Sequence, residues 1–403
     1  MNRKQEKHTS KGITLIALVI TIIVMLILVA VTISMAINGG LFEKAGKATK
    51  DTKDAMNEEQ ALANGQIIID GKTYASIDDY LAGKEAMLTY NEATKENGFL
   101  TVKARYESDG KTAIIPKGFK IIEDAEGKKS IDAGLVIQDK KGNEFVWIPV
   151  TNDLGSSYSY QGRSSEEYSE PTELTGTWDK STNTPKSKDD SQEILDELYG
   201  TDNPYTYSTD FKYAEEYAEM VRCVNANHGF YIGRYETTVD DEGNIGSKYN
   251  TTVLTAGTTL FTKDSTNYPY RWYGLYYTSK NANVTGNGAD VQTAMIYGVL
   301  WDKTMDFIRT QKAAGKTTYD VDVATSSWHK GSEVANSGQA NSGDVALNIW
   351  DLESNAMEWT QEADLSAYRV SRGFFGCASN RINVAIPTYD ETGLSSRIAL
   401  YIK

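Results

Sequence analysis

The chain has 403 residues, with 41 Lys+Arg against 55 Asp+Glu and a formal net charge of −14. That balance excludes a default nucleic-acid binder, which needs a basic footprint, and 40% hydrophobic residues exclude wholesale disorder. Two cysteines exclude a disulfide scaffold, three histidines leave few ligands for a His-rich metal site, and the length allows two or three domains.

The first twelve residues, MNRKQEKHTSKG, carry Arg3, Lys4, Lys7 and Lys11 against Glu6. Ile13–Ile37 then runs for 25 residues without a charge, long enough as a helix to cross a ~30 Å hydrocarbon core. The basic flank keeps the N-terminus cytoplasmic and sends the chain beyond Asn38 outside. The run is too long for the apolar region of a secretory signal peptide, and Ser34-Met35-Ala36 is a weak cleavage site. Lys11-Gly12-Ile13-Thr14-Leu15-Ile16 resembles the type IV prepilin signal. The resemblance implies cleavage by prepilin peptidase between Gly12 and Ile13. It also implies a helix that anchors the chain in the membrane through residues 13–37 and serves as a filament core. The partners implied are other pilin subunits and the pilus assembly machinery. Ala17 stands where that family has Glu, so the family's salt link to a neighbouring N-terminus does not carry over. A plain membrane anchor is the competing reading. Removal of the leader takes the net charge from −14 to −17, still a soluble, self-repelling ectodomain.

Asn38-Gly39-Gly40 kinks or ends the helix. Leu41–Ala63 is alanine- and charge-rich and reads as a polar stalk, so residues 13–63 form helix and stalk. Gln66–Asp70 and Lys72–Ile77, split at Asp70-Gly71, read as a hairpin. Residues 64–112 are assigned to a short stem module.

From Ala113 the pattern turns β-rich: AIIPKGFKIIE, AGLVIQD and NEFVWIPV are short apolar runs between turn residues. Thr151–Thr209, rich in Ser, Thr, Asp, Tyr and Pro, reads as a long surface insertion. The spacing predicts a helix over Phe211–Ala226, a strand over Gly229–Glu236 and a second helix over Ala289–Gln311. Ser326–Ser342 reads as a polar loop. Tyr outnumbers Phe by 25 to 10, an excess that points to recognition surfaces.

GFYIGRYE, then Asn348-Ile349-Trp350-Asp351-Leu352-Glu353-Ser354-Asn355-Ala356-Met357-Glu358-Trp359-Thr360, then Tyr368–Gly373 and Ser396–Ile402 occur in order. This succession resembles the formylglycine-generating-enzyme type of C-type-lectin-like domain, over residues 113–403. Ser354 and Phe374 replace two of that family's glycines. The expected fold class is α+β: a long N-terminal hydrophobic helix, then a C-type-lectin-like, sulfatase-modifying-factor-like domain with irregular loops. The sulfatase-activating members bind copper through a cysteine pair after Arg-Gly-Gly, and soft thiolates suit Cu(I). Here only Cys377 lies in that segment, while Cys223 sits on the predicted helix, as a small buried residue or as a bridge partner for Cys377. A single thiol cannot supply a two-sulfur site, so the chain is read as non-catalytic, with no cofactor required. Oxygen-activating catalysis remains the alternative from the family, and a structural pilus subunit the alternative from the N-terminus. The resemblance implies a structural calcium at Asp351, Asn355 and Glu358, set against internal hydrogen bonding of the same loop. Trp359 is read as core.

The segment GFFGCASNRINVAIPTYDETGLSS, Gly373–Ser396, has neither helical nor strand period. Only Glu391 in it falls outside the residues that NNC codons encode, the trace that adenine-directed mutagenesis of AAC codons leaves. A lectin-like domain with a varied C-terminal segment before a fixed closing strand resembles the targets of diversity-generating retroelements; an ordinary binding loop is the bland alternative. The candidate contacts are Phe374, Phe375, Cys377, Ser379, Asn380, Arg381, Asn383, Tyr389 and Asp390, for a surface protein or glycan ligand. Arg372 and Arg397 flank the segment as structural residues. The whole reads as a cell-surface, pilin-like ligand-binding protein, an adhesin or tip subunit.

Overall fold

A computed structural model describes Met25, residues 67–69 and 72–74, and most of 87–403. Outside it lie 125–126, 128, 156–157, 162–166, 171–177, 180–183, 186–191, 262–266, 324–333, 365–368, 374–376, 386, 388–389 and 391. The leader junction Gly12-Ile13 and, apart from Met25, the apolar run 13–37 lie outside the described residues. Among the described residues no helix is long and apolar enough to cross a membrane.

The chain divides into two units at Ala86/Met87. In the first, Ile67–Ile69 pairs antiparallel with Lys72–Tyr74 across Asp70-Gly71. The second begins at Met87. Residues 87–112 therefore belong with the domain that the sequence places from 113 onward. Leu100 and Ala104 are buried, and Ala104–Ser108 pairs with Lys111–Ile115, so this hairpin cannot leave the core.

The second unit is a mixed helix-and-sheet fold with irregular loops. In chain order its main elements are β1 (Phe119–Ile122), β2 (Val136–Asp139), β3 (Glu144–Pro149), α1 (Gln192–Tyr199), α2 (Tyr213–Asn227) and β4 (Gly229–Gly233). Then come α3 (Arg271–Lys280), β5 (Val291–Met295), α4 (Gly298–Ala313), β6 (Met357–Asp364), β7 (Arg369–Arg372), β8 (Arg381–Ala385), β9 (Leu394–Ser396) and β10 (Ile398–Ile402). One antiparallel sheet runs β5-β10-β4-β3-β2-β1, which places the C-terminal strand inside it. The second runs Tyr158–Gln161, Glu167–Glu170, β6, β7, β8, with β9 parallel to β6.

The first sheet separates two cores by the strand period of two. Phe145, Trp147, Tyr231, Ile398, Leu400 and Ile402 face one core with α1 and α3. Val146, Ile148, Phe230, Ile232, Ala399 and Tyr401 face the other, with α2 and α4. With both faces covered, β10 is buried at every residue.

Two expectations are corrected. The helix predicted over Ala289–Gln311 is β5 followed by α4. Val291 and Met295 suit a helix or a strand, and full pairing with β10, Val291 opposite Ile402 through Met295 opposite Ile398, decides for the strand. α4 starts at Gly298, where a Cβ would lie 2.0 Å from Glu362 Cδ. The insertion 151–209 is also not all surface. Glu167–Glu170 pairs with β6, and α1 buries Ile194, Leu195, Leu198 and Tyr199.

Much of the tyrosine excess is core rather than recognition surface. Tyr199, Tyr205, Phe211 and Tyr213 share one core with Trp272, Tyr273 and Tyr276 of α3. Tyr199 and Tyr205 meet edge-on at 4.9 Å, and Trp272 stacks on Tyr276 at 5.2 Å. Buried tyrosines need partners, and the Tyr199 hydroxyl donates to the Tyr270 carbonyl at 2.5 Å.

Candidate ligand-binding surface

The segment Gly373–Ser396 leaves β7 and returns as β9. Gly373 has φ +74°, and a Cβ there would lie 2.5 Å from the Leu352 carbonyl oxygen, so the exit turn demands glycine. The α4 side then holds the chain. The Trp301 Nε1–H donates to the Ala378 carbonyl at 3.0 Å. The Ser379 amide donates to the Val321 carbonyl at 3.0 Å, and the Asn380 amide closes a turn onto Cys377 at 3.1 Å.

Arg381 comes next, as the cross-strand partner of Arg372. Like charges directly opposite repel. Here Asp302 of α4 and Glu362 of β6 bind both. Arg381 donates to Glu362 Oε1 at 2.8 Å and to Asp302 Oδ2 at 2.8 Å. Arg372 donates to Glu362 Oε2 at 3.1 Å and to Asp302 Oδ1 at 3.0 Å. Farther along, the Trp272 amide donates to the Pro387 carbonyl at 3.2 Å, and Arg271 lies 3.6 Å from Asp390. The segment is thus pinned to the N-terminal turns of both α3 and α4.

The candidate contacts divide. Ser379 and Asn380 are half-exposed, and the Asp390 side chain is 54% exposed. Cys377 is buried, and the Arg381 side chain is only 7% exposed within its ion pairs. Asn383 lies on β8. Phe374, Phe375 and Tyr389 lie outside the described residues. Cys223 and Cys377 are both buried and no disulfide joins them.

Asp351, Asn355 and Glu358 lie together in a second buried polar cluster. Both Glu358 oxygens bind Arg397, with Nε to Oε2 at 3.0 Å and Nη2 to Oε1 at 2.5 Å. Asn355 Nδ2 donates to Glu236 Oε2 at 2.7 Å, and the Ala356 amide to Glu236 Oε1 at 3.1 Å. Asp351 accepts the Gly338 amide at 2.7 Å. Asp344 accepts the amides of Glu353 and Ser354 at 2.9 and 2.7 Å. Calcium wants six to eight oxygen ligands. Here the oxygens face N–H donors, and a guanidinium already sits among them, so the residues as placed do not fit the ion. Among the described residues no cluster of His, Cys, Asp or Glu is arranged to hold a metal. The motif has a backbone reason instead: Asn348, Asp351 and Asn355 have φ of 69°, 56° and 70°, the left-handed region that Asn and Asp tolerate.

One guanidinium among Glu236, Asp344, Asp351 and Glu358 leaves the cluster short of positive charge. Burial, with the charges of Asp351 and Glu358, raises Glu236 well above the usual carboxylate range. Burial lifts Glu358 to about 7 against the pull of Arg397, and Asp351 to about 6 against the Gly338 amide.

Asp302, Glu362, Glu236 and Asp344 belong to these clusters without having stood out in the sequence. Only the length of β6 could have singled out Glu362, since an alternating strand places it on the face of Thr360 and Glu358. Asp302 carries no local signal.

No family model matches the chain, and no curated protein matches it. Among solved structures, the chain is similar to one titled Major Tropism Determinant M1 Variant, at 11% identity and a TM-score of 0.31, covering 84% of this chain and 79% of that one. It is likewise similar to one titled Major Tropism Determinant U1 Variant, at 12% identity and a TM-score of 0.30, covering 84% of this chain and 80% of that one.

Proposed function

We propose that the unit from Met87 onward is a non-catalytic, C-type-lectin-like binding domain whose contact surface is the segment 373–396. The observation that carries this is the division within that segment. Arg381, Ala378 and Pro387 are tied to buried partners, while Ser379, Asn380 and Asp390 reach solvent. A surface pinned by its backbone and by one buried ion network loses little entropy on binding and tolerates change at the exposed positions. That is the property a diversified segment requires. The N-terminal run 13–37 is proposed to anchor the domain at the cell surface as a pilin-like helix, cut at Gly12-Ile13.

The test exchanges Ser379 and Asn380 together and applies both chains to one array of surface proteins and glycans. The expected result is a changed set of bound spots at an unchanged melting temperature. An identical set from both chains overturns the reading. Sequencing the neighbouring DNA tests diversification: a reverse transcriptase beside a near-copy of codons 373–396, differing at adenines, is expected. N-terminal sequencing of the mature chain is expected to begin at Ile13.

A further inference from the structure

Arg271 opens α3 at φ +55°, a left-handed backbone that only glycine, Asn and Asp adopt at low cost. Strain of this kind persists where the surroundings impose it, and it gathers at functional sites. Here the surroundings include the segment 373–396. The Arg271 amide donates to the Ala256 carbonyl at 3.0 Å, and the Trp272 amide to the Pro387 carbonyl at 3.2 Å. The Ala256 amide donates to the Leu394 carbonyl at 2.7 Å. A Cβ at Gly257 would lie 2.7 Å from the Asp390 carbonyl oxygen. Asp390 is thus held beside Arg271 by backbone contacts that its own side chain does not make.

The guanidinium at this junction is only partly used. Its side chain is 17% exposed. Nη1 donates to the Leu198 carbonyl at 3.2 Å. Nη2 lies 3.6 Å from Asp390 Oδ2, beyond hydrogen-bond reach, and Nε is buried without a partner. Nε and Nη2 form one edge of a guanidinium, the fork that takes two oxygens of a carboxylate or sulfate. In Arg397 the same edge is filled by both oxygens of Glu358. In Arg271 it is unspent, and among the described residues its one ion-pair partner is the half-exposed Asp390.

We propose that Arg271 is a fixed oxyanion anchor at the edge of the segment, and that position 390 decides whether a ligand can use it. With Asp390 in place the guanidinium is neutralised, and the surface turns carboxylates and sulfates away. With a small neutral residue there, the Nε–Nη2 edge takes a ligand oxyanion side-on. A pair this exposed adds little to stability, so its presence can be set by binding. On a chain of net charge −14, a local cation is what an acidic ligand needs. The role of position 390 rests on the reading of 373–396 as the contact surface; the anchor itself does not.

The test uses the full chain in detergent, as the parent, Asp390→Ala, Arg271→Gln and the double variant. Each is titrated with sodium sulfate, sodium chloride holding the ionic strength constant, while the melting temperature is followed. Exclusion of sulfate from the surface stabilises all four alike. Asp390→Ala is expected to show an additional, saturable rise from binding about tenfold tighter than in the parent, and the double variant none. Asp390→Ala with Arg271→Lys, which keeps the charge and loses the fork, is expected to bind about tenfold more weakly than Asp390→Ala. No additional rise in Asp390→Ala overturns the proposal, as does the same rise without Arg271 or with lysine in its place. On the array of surface proteins and glycans, Asp390→Ala is expected to gain acidic spots that the double variant loses. No such gain, on an array that responds to the exchange of Ser379 and Asn380, overturns the role of position 390. A sulfate site on a chain whose spots ignore that exchange would instead keep the anchor and overturn the contact surface.

Discussion

Arg372 and Arg381 stand directly opposite each other on β7 and β8, and both grip the same two carboxylates, Asp302 and Glu362. The repulsion between them is turned into a clamp that joins two strands to α4. Removing one member of a buried ion network leaves the others uncompensated. Arg381→Ala is expected to destabilise the unit by about 3 kcal/mol in urea unfolding. Asn380→Ala, one residue away and half-exposed, is expected to stay within about 0.5 kcal/mol. Equal effects would mean that Arg381 is an ordinary surface residue.

Gly373 starts the segment in a conformation closed to other residues. Gly373→Ala puts a methyl into the Leu352 carbonyl at φ +74°. Conformational strain alone costs about 1–3 kcal/mol, and the clash adds to it. The expected result is a lower unfolding midpoint, together with faster amide exchange at Ser379 as the turn shifts.

The two thiols are buried and not joined in a disulfide. Neither is expected to react with a maleimide in the native protein at neutral pH, and both are expected to react in denaturant. Reductant is expected to leave the melting temperature unchanged. A drop on reduction would indicate a bridge.

The acidic cluster sets the pH dependence. Glu236, Glu358 and Asp351 are raised from ordinary values of 4.5, 4.5 and 3.8, the last two to about 7 and about 6. A raised carboxyl contributes stability that is complete below its unfolded value and lost as pH rises through its folded value. Asp240 and Asp322, lowered to about 2, act only in strong acid and are constant in the window of interest. The melting temperature is therefore expected to fall between about pH 5 and pH 8, by roughly 5 °C. Glu236→Gln is expected to flatten that slope. A melting temperature that rises across the window would contradict the assignment.

The parts legible in the sequence were those written in local pattern. α2 lies within two residues of the helix expected over Phe211–Ala226, but the face it buries is Tyr213, Tyr217, Met220, Val221 and Val224, while Ala214 and Ala218 of the expected stripe are exposed. Trp359 is buried, and Arg372 and Arg397 hold structural ion pairs, as their places flanking irregular loops suggested. Where two periods fit the same letters, as at Val291 and Met295, only the free edge beside β10 could choose.

What the sequence determined by itself was charge, the uncharged 25-residue run, the turn glycines and the alternating strands, all properties of neighbours along the chain. What the tertiary structure decided was which polar and aromatic groups are inside. Asp302 and Glu362 lie 60 residues apart in sequence and acquire their role only when α4 crosses β6 beneath the two arginines. The tyrosines that read as a recognition surface became core for the same reason. A phenol can be buried once its hydroxyl finds a carbonyl, and that partner, Tyr270 for Tyr199, is supplied from 71 residues away.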